Sequence, residues 1–298
     1  NVEVLVGRGQ FTSTNMIEVQ SADGAQKVSF DAAIISAGSK VTKIPGIPYD
    51  DPRVMDSTDA LTLQSIPKSM LVIGGGTAGH VAAIQAGRAG AKTLIVERNS
   101  QLGGTTTTGG VAFPGLFDAW GKQIIAGIGW ELVKESVELD DGKFPNFAKV
   151  PQRHWQNQVF TNQFLYAILA EEKCAQAGVE IAFYEFPQTV MKIGDGWQVD
   201  CVGFGTRRRV RCKQIIDCTG GAEVVGMLGL PRLREQERQP GSFLFMLGKE
   251  HQPGRNQIHR LYVHGADSTN SRTATEANLT GRKSILARVR KDKKRLMH

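Results

Sequence analysis

Met70-Leu71-Val72-Ile73-Gly74-Gly75-Gly76-Thr77-Ala78-Gly79, with Glu97 closing a second apolar run, is the stretch that decides the fold. Residues 70–73 are apolar and run into glycines in the G-x-G-x-x-G register: Gly74, Gly76 and Gly79. A helical pattern over 81–89 follows, and then a second strand over 93–96 that ends in the acid. Each part has a physical task in holding a dinucleotide. Gly74 permits the tight turn, Gly76 lets backbone approach a pyrophosphate, and Gly79 lets the helix pack on the strand. Gly75, Thr77 and Ala78 complete a turn whose N–H groups and helix dipole favour phosphate. Glu97 accepts hydrogen bonds from a ribose diol and repels a 2′-phosphate. The plainer alternative is a glycine-rich turn that only packs.

The chain has 298 residues, 41% hydrophobic and 22% charged, which is ordinary globular composition and room for about two domains. Its net charge of +7 is concentrated in Arg207-Arg208-Arg209-Val210-Arg211 and in the basic run 282–295. Neither segment interleaves aromatic residues or carries a nucleic-acid motif, so no nucleic-acid partner is expected. A solvated basic face that attracts an anionic cofactor or substrate is the reading adopted. Cys174, Cys201, Cys212 and Cys218 show no C-x-x-C or zinc spacing, so no metal site is expected and buried thiols in a reducing, cytoplasmic setting fit best. No apolar run has membrane-spanning length and no signal peptide is visible. The first residue is Asn1 and the last lies in a helical basic segment, so both ends read as interior to a longer chain.

Residues 1–39 read as strands and turns: a strand over 2–6, a hairpin whose arms 16–19 and 27–30 flank Asp23-Gly24, and a strand over 32–35 entering Ser36-Ala37-Gly38-Ser39. Residues 40–69 are a connector broken by Pro45, Pro48, Pro52 and Pro67, with room for a short helix over 57–63 capped by Ser57 or Thr58. A second passage repeats the grammar. A strand over 179–184 and a hairpin pairing 197–202 with 207–211 precede Gln214-Ile215-Ile216-Asp217, which enters Cys218-Thr219-Gly220. Residues 1–69 thus read as the tail of one dinucleotide domain plus a connector. Residues 70–225 read as a whole second domain, interrupted by a helical insertion over about 105–178, with 226–298 as a substrate-side segment. Within the insertion, helices are expected over 119–135, with Ile124, Ile125, Ile128, Leu132 and Val133 on or near one face, and over 162–177, amphipathic, with Phe164, Leu165, Ile168, Leu169 and Cys174 at helical spacing before a Gly178 cap. Residues 224–228 read as helix and 243–247 as strand.

Gly103-Gly104 lies just beyond Glu97, where paired glycines let the chain pass a pyrophosphate or a flavin without a Cβ clash. Thr105 opens a run of threonine hydroxyls. Arg98 and Val190 join the expected cofactor-binding set with Thr219 and Gly220. His80, in the first turn of the helix, is expected to be neutral and to pack. His154 is a candidate substrate-side acid or base, with an ordinary surface position as the plainer reading. No Ser/His/Asp arrangement or metal-ligand cluster is legible, and no catalytic residue is assigned.

Residues 1–76 resemble the pyridine nucleotide-disulphide oxidoreductases, the dihydrolipoamide dehydrogenases above all. The likeness rests on Phe30-Asp31-Ala32-Ala33-Ile34-Ile35-Ser36-Ala37-Gly38-Ser39, Ile44-Pro45-Gly46, Asp56-Ser57-Thr58-Asp59-Ala60-Leu61 and Ile66-Pro67-Lys68-Ser69 leading into the glycines. That resemblance implies the end of an FAD domain entering an NAD domain. The family's redox Cys-x4-Cys pair is not found. From Gly74 to about residue 251 the chain resembles the FAD-dependent oxidoreductases akin to the fumarate reductase and aspartate oxidase flavoproteins. The matching residues are Gly79-His80-Val81-Ala82-Ala83, Val96-Glu97-Arg98, Leu102-Gly103-Gly104, Phe113-Pro114-Gly115-Leu116-Phe117-Asp118-Ala119-Trp120-Gly121 and Ile215-Ile216-Asp217-Cys218-Thr219-Gly220-Gly221-Ala222-Glu223-Val224. This resemblance implies that Glu97 meets the adenosine ribose, that Gly103-Gly104 lies near pyrophosphate and flavin, and that Thr219-Gly220 lies against the cofactor. The family has Asp where Gly221 stands, which removes one polar contact.

The expected fold is α/β: a doubly wound, mostly parallel, Rossmann-like sheet with a three-strand β-meander and a helical insertion. The expected function is an FAD-dependent oxidoreductase that transfers a hydride between flavin and an unidentified small-molecule substrate, with a homo-oligomer among the expected forms. Two alternatives stand beside it. One is a dihydrolipoamide dehydrogenase-like protein binding NAD at Gly74–Glu97. The other is an inactive, cofactor-free fragment.

Overall fold

The chain divides between residues 64 and 65 into two units, and a computed structural model describes residues 3–22, 24–35, 50, 65–233, 239–246, 258–265 and 267–296. The first unit holds an antiparallel meander, β1 (Arg8–Ser13), β2 (Met16–Ser21) and β3 (Gly24–Ser29), in spatial order β1-β2-β3. The expected hairpin is β2–β3, with Gly24 at φ +120° in its turn. The opening strand lies at Arg8–Ser13, where Arg8 pairs with Gln20, and residues 3–6 are not a strand. Val4 and Val6 are exposed and residues 3–6 pair with nothing regular among the described residues. Residues 32–35 are likewise not a strand, and Ile34 is 95% exposed. An apolar run becomes a strand only where a neighbour supplies its ladder. The Ser36–Ser39 turn, Pro45, Pro48, Pro52 and the helix expected over 57–63 lie outside the described residues.

The second unit is built on a four-stranded parallel sheet. Its strands are β4 (Ser69–Ile73), β5 (Lys92–Glu97), β8 (Glu180–Phe183) and β12 (Gln214–Asp217), in the order β12-β4-β5-β8. Helix α1 (Thr77–Arg88) connects β4 to β5. Between β5 and β8 lie a small ladder, β6 (Asp118–Ala119) with β7 (Lys122–Gln123), and the helices α2 (Ile128–Leu139) and α3 (Gln163–Gln176). Between β8 and β12 the chain forms the antiparallel meander β9 (Phe186–Ile193), β10 (Gly196–Gly203) and β11 (Thr206–Cys212). A short α4 (Glu223–Met227), the pair β13 (Gly241–Met246) and β14 (Ile258–Val263), and the long α5 (Ser271–Leu296) follow.

Alternation along β4 explains the layering. Successive strand side chains point to opposite faces. Val72 joins Ile95, Ala83, Ile84, Leu132, Val137, Tyr166 and Leu169 in a core beneath the helices. Leu71 and Ile73 join Val96, Val190, Val199, Cys201 and Cys212 in a second core beneath the meander. A near-continuous apolar strand is what a sheet buried on both faces requires. Leu71, Val72 and Ile73 are at most 1% exposed, and each contributes about 1.5–3 kcal/mol by burial.

The insertion departs from expectation in two places. Residues 119–127 are a hairpin and loop, because Trp120, Gly121 and Gly127 all take positive φ, which no helix sustains. Ile124 and Ile125 are therefore exposed, and only Ile128, Leu132 and Val133 of the expected face are buried. Helix α3 occupies its expected place with Asn162 as N-cap and Gly178 beyond its end at φ +70°, yet its inward face is Tyr166, Ala167, Leu169, Ala170 and Cys174. Phe164 and Ile168 face outward, at 66% and 60% exposure. The apolar residues of this helix form two stripes, and contact with α1 and α2 selects the stripe with the smaller residues.

Two arginines of the basic run on β11 are paired with acids, Arg208 with Glu180 at 2.7 Å and Glu185 at 3.2 Å, and Arg209 with Asp200 at 2.7 Å, while Arg211 donates to the Gln198 side-chain oxygen at 3.3 Å. All four cysteines are free, and burial pushes Cys174 up to about 12 and Cys201 and Cys212 up to about 11. No helix among the described residues is long and apolar enough to cross a membrane.

Candidate functional site: the glycine turn at the end of β4

The carboxyl end of β4 is where a parallel α/β sheet offers backbone to a ligand. Gly74 has φ +98° and donates its N–H to the Val96 carbonyl at 2.8 Å, tying the turn to β5. A Cβ on Gly79 would run into the Gly74 carbonyl oxygen, so helix and strand close only over hydrogen. At Gly76 the situation is reversed. An added Cβ would meet nothing within 4 Å, so the backbone there borders open space. Thr77 and Ala78, the next residues, are exposed. The first N–H groups of α1 have no acceptor within the helix. The turn therefore presents backbone and a positive dipole end to solvent, a setting that favours an anion.

Glu97 reaches this turn from the end of β5. Its Oε2 accepts the Gly75 N–H at 2.6 Å, and its Oε1 accepts the Asn99 N–H at 2.8 Å and the Asn99 side-chain amide at 2.6 Å. The carboxylate is buried, with 6% of the residue exposed. A carboxylate offers about four acceptor positions, so one is left open. The acid thus braces the turn. Arg98 points outward and sits 3.8 Å from Glu223.

The Gly103–Thr107 loop lies against the same turn. Gly103 N–H bonds the Gly75 carbonyl at 2.9 Å, Gly76 and Gly103 form a parallel bridge, and a Cβ on Gly104 would press on the Gly76 Cα at 2.7 Å. Thr77 Oγ1 donates to the Gly103 carbonyl at 3.2 Å, and Thr107 Oγ1 to the Leu102 carbonyl at 2.6 Å. Thr105 is exposed, and its carbonyl accepts the Val111 N–H at 3.0 Å. On the other side, Cys218 N–H bonds the Ile73 carbonyl at 2.8 Å and carries Thr219 and Gly220 past Gly74. Asp217 organises that loop by accepting the Thr219 N–H and hydroxyl at 3.1 and 2.6 Å and the Val225 N–H at 3.1 Å. Arg232 donates to the carbonyls of Gly221 and Ala222 at 3.3 and 3.4 Å.

Gly74, Gly75, Gly76, Thr77, Ala78, Gly79, Glu97, Gly103, Gly104, Thr219 and Gly220 are thus gathered at one sheet end. Val190 is on β9, opposite Val199, and packs in the core that also holds Leu71, Ile73 and Val96. Two surface hollows open on the meander around Gln188, Val202 and Arg207, and neither is lined by the glycine turn.

Asn99 and Tyr166 were not among the residues picked from the sequence. An amide two residues beyond the acid was the available signal for Asn99; a tyrosine in a helix some 86 residues from His80 gave none for Tyr166. Burial holds the His80 imidazole below its ordinary value, while hydrogen bonding at Gly76 and Gly75 works the other way. His154 opens a short 3-10 turn (His154–Asn157). His259 stacks on Phe245, and His251 lies outside the described residues.

Residues 69–295 match the family described as FAD dependent oxidoreductase, and residues 1–110 match pyridine nucleotide-disulphide oxidoreductase. A dihydrolipoyl dehydrogenase of Vibrio cholerae is 46% identical over 101 residues, covering 34% of this chain and 21% of that protein. One of Geobacillus stearothermophilus is 32% identical over 138 residues, 46% of this chain and 26% of that protein. The chain therefore spans about a fifth to a quarter of the length of these relatives. Among solved structures, the OxyS anhydrotetracycline hydroxylase of Streptomyces rimosus superposes with a TM-score of 0.42 at 16% identity, over 64% of this chain and 44% of that one.

Proposed function

This chain belongs to the FAD dependent oxidoreductase family, and from that premise we propose that Gly74–Gly79, Glu97 and Gly103–Thr105 hold an extended FAD, with Thr219 and Gly220 toward its flavin end. The observation that carries this reading is the open space beside Gly76, where an added Cβ meets nothing within 4 Å although its neighbours in the turn are closely packed. Gly76, Thr77 and the start of α1 would face the pyrophosphate, Glu97 the ribose, and Arg98 and Val190 the adenosine end. When bound, the flavin supplies hydride exchange at N5 with an unidentified small-molecule substrate. Around it the chain's own groups bind and orient: Asp217 fixes the Thr219 loop, and Arg232 pins the Gly221 and Ala222 carbonyls. In this reading residues 70–225 are the cofactor domain with its helical insertion at about 105–178, residues 1–69 are a dinucleotide-domain tail and connector, and 226–298 lie on the substrate side. A homo-oligomer and a cytoplasmic setting belong to the same proposal, the latter supported by the free, buried thiols of Cys174, Cys201 and Cys212.

A second reading places NAD on the same turn. It is favoured by the pyridine nucleotide-disulphide oxidoreductase match over residues 1–110, which includes Gly74–Glu97. Equilibrium titration with FAD and with NAD, followed by flavin fluorescence and by calorimetry, separates the two. Tighter FAD binding supports the proposal, and NAD binding without FAD binding replaces it.

A further inference from the structure

His80 and Tyr166 are buried beneath the glycine turn, at 0% and 2% exposure, and each fills the other's hydrogen-bonding need. His80 Nδ1 lies 2.9 Å from the Gly76 carbonyl oxygen, which also takes the His80 N–H at 3.2 Å. A carbonyl only accepts, so Nδ1 carries the proton. Burial disfavours the charged ring, which leaves Nε2 as the accepting nitrogen. The Tyr166 hydroxyl, 3.2 Å away, is therefore the donor to Nε2. The two rings meet edge to face, 5.7 Å between centroids at 81°.

We propose that Tyr166 and His80 are positioning residues for the dinucleotide turn: Tyr166 orients His80, and His80 fixes the Gly76 carbonyl and with it the backbone on the open side of the turn. The inference rests on the cofactor reading above. Its physical link is the peptide unit. A trans peptide is planar, so holding the Gly76 carbonyl also sets the peptide plane that continues into Thr77. Gly76 has no side chain to restrict that plane, and its backbone is extended at φ −61°, ψ −176°. The bridge to Gly103 holds one side of the turn, and on the other the His80 side chain adds its hydrogen bond to the backbone one already made to the Gly76 carbonyl. The relay also joins the site to the insertion, because Tyr166 belongs to α3 and His80 to α1. A helix distant in sequence thereby takes part in holding the phosphate-binding backbone, and pre-organisation of that backbone is a direct contribution to affinity.

The test compares the wild-type chain with His80→Leu, His80→Asn and Tyr166→Phe, measuring FAD dissociation constants by flavin fluorescence and the melting of each FAD-free protein. Asn carries an amide donor near the position of Nδ1, and Leu carries none. His80→Leu is expected to weaken FAD binding about tenfold or more, His80→Asn to recover most of that loss, and Tyr166→Phe to fall between. Should His80→Leu fail to fold, the same ordering of Tyr166→Phe below wild type, with His80→Asn near wild type, carries the result. Variants that melt at lower temperature yet bind FAD as the wild type does overturn the positioning role and leave the cofactor reading standing. A folded wild type that binds no FAD overturns the cofactor reading, and this inference with it.

Discussion

The Oε2 oxygen of Glu97 accepts the Gly75 N–H at 2.6 Å, across 22 residues of chain. One carboxylate thereby ties the end of β5 to the middle of the glycine turn, and the Asn99 amides hold its other oxygen at 2.8 and 2.6 Å. Glu97, proposed above to meet the ribose, is also a brace for the turn.

Glu97→Ala is expected to remove both roles. A hydrogen bond to a charged group contributes about 1.5–3 kcal/mol, so FAD affinity should fall by about 10- to 100-fold. The melting temperature should fall as well, since the Gly75 N–H is left without its acceptor. Fluorescence titration against FAD checks this, and an unchanged dissociation constant removes Glu97 from the ribose.

Gly76→Ala and Gly79→Ala should separate binding from folding. A Cβ at Gly76 enters open space, while one at Gly79 enters the Gly74 carbonyl. Gly76→Ala should melt close to wild type yet bind FAD poorly, because the methyl occupies the space the pyrophosphate needs. Gly79→Ala should lose about 1–3 kcal/mol or more of stability from overpacking. Denaturant melts and FAD titrations on both variants give the comparison. Full FAD affinity in Gly76→Ala speaks against a pyrophosphate at that position.

Arg98 offers a milder contrast. Its pair with Glu223 spans 3.8 Å, and its side chain is 60% exposed, so solvent screening leaves little stability in it. Arg98→Ala should keep the wild-type melting temperature and still weaken FAD binding. A lowered melting temperature with intact FAD affinity would make Arg98 structural instead.

His80 predicts a pH dependence. Burial lowers its folded-state value, so the unfolded chain takes up a proton first as pH falls. Stability is fully present above the ordinary histidine value of about 6.5 and declines below it, by at most about 1.4 kcal/mol per pH unit. Glu171, held above its ordinary value by burial, acts with the opposite sign. It is common to wild type and His80→Asn and cancels in their difference. Melting curves from about pH 7 to about pH 5 should show the wild type losing more stability than His80→Asn, and parallel curves would contradict the assignment.

The parallel sheet was legible because β4, α1 and β5 state their structure locally: an apolar run, a glycine register and a second apolar run closed by an acid. The meander hairpin β10–β11 was legible for the same reason, through its Gly203-Phe204-Gly205 turn. What depended on partners was not. Residues 32–35 have strand composition but no ladder neighbour among the described residues, and α3 has two apolar stripes between which only packing chooses. At the site, the glycines and Glu97 follow from spacing. Asn99 and Tyr166 act through contacts that periodicity does not encode.

The most direct measurement is the visible absorption spectrum of the purified chain, repeated on the supernatant after heat release and after incubation with added FAD. The account predicts flavin bands in the protein, and the same bands in the supernatant, from a cofactor held without a covalent bond on Gly74–Gly79. A folded, colourless protein that takes up no flavin on incubation would contradict it.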